Sequence, residues 1–177
     1  MKRLFLTMML SLAIFSGGFA GVAPGFSDFP SPGYFCFDSG DSIPALNQKI
    51  LEMVTQQIDK TVGRGECWDL AALVLNQNGA KWDKKYVFGR KVDPVKDCIY
   101  PGDIIQFEGV KIKYTIGHAV HTETMPHHTA IIYEVKGKGV FVLAHQNTGT
   151  SGRKVGLSGL DLKTIVNGKY QIYRPEE

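Results

Sequence analysis

Arg64-Gly65-Glu66-Cys67-Trp68-Asp69-Leu70-Ala71-Ala72-Leu73-Val74-Leu75-Asn76-Gln77-Asn78-Gly79 is the stretch in which a glycine-rich loop turns into a helix at a cysteine. Trp68, Ala71, Ala72 and Leu75 recur at i, i+3, i+4 and i+7, and Asn78-Gly79 supplies the stop. Gly63-Arg64-Gly65 breaks the pattern that precedes it, so the spacing predicts a helix whose first residue is Cys67. A thiol at that position faces unpaired backbone N–H groups and the positive end of the macrodipole, which favour an anion. The same groups suit the oxyanion that forms when a carbonyl is attacked. A buried, inert thiol is the competing reading of Cys67, because free cysteine is a small core residue. Arg64 is read as a loop charge that adds positive potential nearby, and Asp69 as a first-turn charge that favours the dipole.

Upstream, Ser42 and Pro44 form a helix-start signal, and Leu46, Ile50, Met53, Val54 and Ile58 follow at helical spacing to about Lys60. Downstream, Asp83 to Asp97 reads as polar loop with a short strand at Tyr86-Val87-Phe88. Pro101-Gly102-Asp103 is a turn signal, with Asp103 as a turn residue, and Ile104 to Phe107 follows as a strand. Thr129 to Val135 and Val140 to Ala144 are apolar runs joined by Lys136-Gly137-Lys138-Gly139, which predicts a hairpin. A further strand pair is expected at Lys154 to Leu157 and Tyr170 to Tyr173, the latter after a turn at Asn167-Gly168. Helices first and then four to six antiparallel strands make an α+β layout.

His128 opens the first strand of the hairpin, where a side chain stands at the rim of a sheet. A base must be held still by a third group. With the turn centred on Gly137-Lys138, His128 lies opposite Asn147 and His145 sits one diagonal step away on the same face, while Gln146 points to the other. Either His145 or Asn147 then orients the imidazole. His118, His121 and His127 precede them in a stretch without helical pattern, which reads as an exposed loop rimming the cleft and touching substrate. Trp68 is read first as core and second as a substrate contact. A metal is disfavoured, since the chain has no HExxH and no CxxC.

Three cysteines leave one over if two pair. Cys36 and Cys98 lie in loop-like surroundings, so a Cys36–Cys98 bridge with Cys67 free is one expectation, and three unbridged thiols is the other. Lys2-Arg3, the apolar run from Leu4 to Phe15 and Gly18-Phe19-Ala20 read as a secretory signal over 1–20, too short for a comfortable membrane span. Residues 21–41, rich in Pro, Gly and aromatics, read as an extended arm, and 42–177 as one folded domain. The net charge of +3 includes Lys2 and Arg3, so the remainder carries +1, too little to draw nucleic acid or acidic membrane by itself.

Gly65-Glu66-Cys67-Trp68-Asp69-Leu70, Pro101-Gly102-Asp103-Ile104-Ile105-Gln106-Phe107, His128-Thr129-Ala130-Ile131-Ile132 and Ala144-His145-Gln146-Asn147 occur in that order, with 61 residues from Cys67 to His128 and 17 more to His145. Together they resemble the NlpC/P60 and CHAP branch of papain-like cysteine hydrolases. The longer string with Tyr86-Val87-Phe88-Gly89-Arg90, Ile131 to Val135 and Ile172-Tyr173-Arg174-Pro175 looks like the cysteine-proteinase-fold domain of fungal myosin-binding SH3 scaffold proteins. The resemblance implies a nucleophile helix packed on an antiparallel sheet and a triad that needs no cofactor. It implies amide cleavage through a thioester, with Cys67 as nucleophile, His128 as base and His145 as orienting residue; Asn147 matches the position used in the CHAP branch. The implied substrate is a peptide, of peptidoglycan type in many members, and a binding or scaffold domain and an acyltransferase are the other readings of the same fold.

Overall fold

The computed structural model describes residues 42–177. Two helices, α1 (Ala45–Gln57) and α2 (Cys67–Gln77), precede six strands: β1 (Arg90–Val92), β2 (Ile104–Ile116), β3 (Ala119–Gly137), β4 (Val140–His145), β5 (Gly156–Asp161) and β6 (Ile165–Arg174). The strands form one antiparallel sheet in the order β1-β6-β2-β3-β4-β5. This is the expected α+β arrangement of N-terminal helices on a six-stranded sheet.

Period-two alternation divides the sheet's apolar side chains between two cores. Ile104, Ile131, Ala144 and Tyr173 face the helices and pack with Leu46, Ile50 and Val54 of α1 and Leu70, Val74 and Leu75 of α2. Their chain neighbours Ile105, Ala130, Ile132, Leu143 and Ile172 face the other way and gather with Phe107, Phe141 and Leu160. α2 begins at Cys67 and stops at Gln77, as its pattern predicts. α1 is shorter than expected at both ends: Pro44 is its N-cap, and Ile58 leaves the helix to bridge Val155.

Four expectations are corrected. Tyr86-Val87-Phe88 is not a strand, because Asp83 Oδ1 accepts from the N–H groups of Lys85 (2.7 Å) and Val87 (3.0 Å) and curls the segment; the strand begins at Arg90. The segment from Ala119 to His127 is not a loop but the outer half of β3, paired with β2 from Ile116↔Ala119 to Glu108↔His127. Its residues are exposed on both faces as far as Thr124, so no apolar alternation marks it. β5 and β6 do not pair with each other: β5 adds to β4 at one edge, and β6 inserts between β1 and β2, with Asn167 inside the strand at a register shift. Asp103 ends a turn but is also fully buried, bonded to Arg174 Nε (3.0 Å) and Nη2 (2.8 Å), to Asn47 Nδ2 (2.8 Å) and to the Tyr100 N–H (3.0 Å).

The expected signal over 1–20, the arm over 21–41 and Cys36 lie outside the described residues. Cys98 is disulfide-bonded, and Cys67 is a free thiol. Among the described residues no helix is long and apolar enough to cross a membrane.

Candidate active site

The loop before α2 is held in shape by contacts that only glycine permits. Gly65 has φ +81°, and a Cβ there would stand 2.6 Å from Cβ of Arg153. Gly63 has φ +57°, and its Cβ would meet the Asp69 carboxylate at 2.9 Å. That carboxylate sits in the first turn of α2 and accepts from the N–H groups of Arg64 (2.7 Å) and Glu66 (3.3 Å) and from Arg64 Nη2 (3.0 Å). Burial alone would raise the Asp69 carboxyl, but these donors and the Arg64 charge outweigh it and hold it below the ordinary carboxylate value. Asp69 thus fastens the loop to the helix, and Arg64 is engaged in that ion pair.

The hairpin of β3 and β4 supplies the rest. Its turn lies at Lys138-Gly139, one residue later than the sequence suggests, and two register shifts follow, between Ile132 and Glu134 and between Val135 and Gly137. They offset the displaced turn, so the inner end reaches Ile131↔Ala144, the register expected from the sequence. The ladder stops there. Beyond it the loop of residues 62–67 fills the gap between the two strands: Gln146 bonds the Val62 N–H (3.1 Å), the Val62 carbonyl (2.9 Å) and the Glu66 carbonyl (2.7 Å), and the Thr129 backbone bonds the Cys67 thiol. The start of α2 is thereby brought through to the cleft on the sheet's other face, although the helix body packs on the first.

On that other face a row of side chains crosses four adjacent strands. Phe107 of β2 pairs with His128 of β3, and their rings stack at 6.3 Å between centroids. His128 Nε2 lies 2.9 Å from Nδ1 of His145 on β4, and His145 Nε2 lies 2.8 Å from Oγ of Ser158 on β5. Burial pushes the His128 ring down to about 4, with charge on His127 adding to the effect. Burial, with His128 adding, takes His145 to about 3. Both rings are neutral at pH 7. Cys67, His128, His145, Asn147 and Ser158 line one cleft of about 880 Å³, which continues past Ile112, Tyr114, Glu123 and Met125 of the long β2–β3 arm and past Leu160 and Asp161.

The Cys67 thiol departs from expectation. Burial raises its pKa, and the backbone hydrogen bonds from Thr129, Trp68 and Cys67 itself oppose that rise without cancelling it. The thiol is therefore protonated at neutral pH, and the helix start softens the cost of desolvation instead of producing a standing thiolate.

The profile of one protein family, the AIM3/BBC1 cysteine proteinase-fold domain, matches residues 45–177, from the first residue of α1 onward. The chain belongs to that family. Two solved structures align with this cysteine proteinase-fold domain at 17% identity: the crystal structure of Ly7917, with TM-score 0.43 over 72% of the chain, and that of Ly7917 with the hydrolyzing product of MDP, with TM-score 0.45 over 73%. The alignments span 62% of the Ly7917 chain, less than two thirds of its length. No curated protein matches the chain.

Within the cysteine proteinase-fold domain, Cys67, His128, His145, Asn147 and His127 come together in the cleft. Between the two candidates for the group behind His128, His145 bonds the ring directly, whereas Asn147, at φ +60°, donates to Glu66 Oε2 at 2.8 Å. His127 pairs with Glu108 (2.9 Å), and the Tyr86 ring meets it edge-on at 4.1 Å. His121 stacks on Tyr114 at 5.3 Å further along the arm, and His118 lies in the turn at its tip. Trp68 packs on Trp82 at 5.4 Å and donates to the Lys85 carbonyl, so it borders the core rather than the cleft. Among the described residues no group of three or more His, Cys, Asp or Glu side chains is gathered to hold a metal.

Sequence reasoning missed Ser158, Phe107 and the clamp made by Gln146. Ser158 is one serine in a glycine-rich segment, and only the pairing Leu143↔Ser158 places it beside His145. Phe107 was readable as a strand residue, but its partner across β3 was not.

Proposed function

We propose that this domain is a thiol hydrolase that cleaves peptide or amide bonds through a thioester, with Cys67 as nucleophile, His128 as general base and His145 as the group that orients it. The observation that carries the reading is the Nε2 to Nδ1 contact of 2.9 Å between His128 and His145 in the cleft that Cys67 also lines. With Nε2 engaged, Nδ1 of His128 is the nitrogen left for the thiol. Because Cys67 is protonated and His128 neutral, His128 removes the thiol proton as sulfur attacks the carbonyl carbon, and no resting ion pair is needed. The oxyanion is met by N–H groups at the start of α2. The imidazolium then gives its proton to the leaving amine, and water, deprotonated by the same ring, releases the acid and the thiol. Export in the first 20 residues and peptidoglycan peptides as substrate belong to the same proposal, and Lys2-Arg3 with the apolar run after it supports the export half.

A second reading follows from the half-buried place of Cys67 in the cleft, where desolvation raises the thiol's pKa: a domain that binds a peptide there without turnover. The discriminating experiment incubates the protein with a mixed peptide library and with muropeptides and counts new amine termini by mass spectrometry. New termini with the wild type that vanish in Cys67→Ala and in His128→Ala support hydrolysis. Retention of peptides by the wild type with no new termini in either library rejects it in favour of binding.

A further inference from the structure

We propose that Ser158 is a positioning residue that accepts the Nε2 proton of His145 and so supports the tautomer in which His128 serves as a base. The inference rests on the reading of Cys67 and His128 given above. A contact of 2.9 Å between two ring nitrogens is a hydrogen bond only if one donates and the other accepts. Two arrangements meet that condition. In the first, His128 Nε2–H donates to a bare Nδ1 of His145, the His145 proton stands on Nε2, and Ser158 Oγ accepts it at 2.8 Å. In the second, His145 Nδ1–H donates to His128, whose own proton must then sit on Nδ1, and the Ser158 hydroxyl donates to the bare Nε2 of His145.

The second arrangement is unproductive, since the nitrogen left for Cys67 already carries a proton. The first leaves Nδ1 bare. It is also the arrangement that survives the reaction. When Nδ1 takes the thiol proton, the His128 imidazolium donates from both nitrogens, so His145 Nδ1 must accept and Nε2 must be the protonated nitrogen. An N–H buried on β4 then needs an acceptor on the far side, and Ser158 Oγ is placed to provide one. Neither proton on the histidine pair leaves the row in this step: one proton moves from sulfur to His128 Nδ1, and the two bonds behind it hold their direction. The cross-strand registers Ile131↔Ala144 and Leu143↔Ser158 set the three groups side by side, so the row is built by the sheet itself.

The test uses the full domain labelled with 15N at histidine. At pH 7 the two-bond couplings from the ring carbon-bound protons should report the proton on Nε2 for both His128 and His145. A proton on Nδ1 of His145 overturns the proposal, and no variant is needed for that result. Ser158→Ala should weaken the Nε2 tautomer of His145 and slow both iodoacetamide alkylation of Cys67 and hydrolysis by roughly 10- to 100-fold. Ser158→Thr, which keeps the hydroxyl, should bring both rates back to within about 3-fold of the wild type. An Ala variant with wild-type tautomers and rates shows Ser158 to be structural only. The tautomers are read without turnover: a protein that hydrolyses nothing but shows the predicted ring signals loses the enzyme reading and keeps the positioning role of Ser158, and one that hydrolyses normally without Ser158 loses that role alone.

Discussion

At the scale of the residue, the consequences follow from two rings, His128 and His145, that burial keeps uncharged. Burial takes His128 down to about 4, so the base proposed above, which must be unprotonated, is available at every pH above that value and lost below it. The kcat/KM profile on a cleaved peptide is therefore expected to hold its level down to about pH 5 and to fall through a single protonation near pH 4, well below the ordinary imidazole value of 6.5. A limb centred near 6.5 would show that His128 is not buried in the folded protein in solution. The same ring affects stability. In the unfolded chain it binds a proton near 6.5, and in the fold only near 4, so between those values the unfolded state holds more protons. Stability contributed by neutral burial is complete above about 6.5 and declines as the pH falls toward 4, by on the order of 2–3 kcal/mol. Denaturant midpoints measured from pH 7 to pH 4 should show that slope together with a similar one from His145, which burial takes to about 3, and His128→Phe should remove roughly half of the total.

At the scale of the element, the start of α2 is the sensitive point, because a loop and a helix must meet there in one geometry. Gly65→Ala keeps every polar partner but forces a side chain into φ +81° and into the Arg153 stem at 2.6 Å. A loss of about 1–3 kcal/mol is expected, read as a lower Tm. Activity in the folded fraction should fall further, since the displaced loop carries Cys67. The helix was legible in the sequence because its apolar stripe has a period and its ends have glycines. The outer half of β3 was not, because a ribbon with solvent on both faces has no reason to alternate. Where alternation did exist, in Ile104-Ile105 and Ala130-Ile131-Ile132, it appeared as an unbroken apolar run, since each face of the sheet has its own core.

At the scale of the whole molecule, Asp103 and Arg174 tie the two ends of the described chain together. The carboxylate at the head of β2 receives two bonds from the last residue of β6 and one from Asn47 of α1, and the Arg174 guanidinium also lies 4.5 Å over the Tyr100 ring. Arg174→Met leaves a fully buried carboxylate without its counter-charge, and a cost of about 3–5 kcal/mol is expected in urea denaturation. Asp103→Asn with Arg174→Met should recover part of that loss, because the pair is then removed together. A single variant with an unchanged midpoint would show that the carboxylate takes up a proton or reaches water instead. The sequence marks Asp103 only as a turn residue, since a turn signal is local and its partner stands 71 residues away.

The sequence by itself determined the two helices, the position of Cys67 at the head of the second and the hairpin that carries His128 and His145, because each rests on spacing within about 20 residues, and the α+β class, because it follows from the order of those elements. The tertiary structure alone decided that His145 rather than Asn147 bonds His128, that Ser158 stands behind it, and that Cys67 is half-buried, where desolvation raises its thiol pKa. Each of these depends on distances between strands or on how much water reaches a group. Neither quantity is a property of any local stretch of chain.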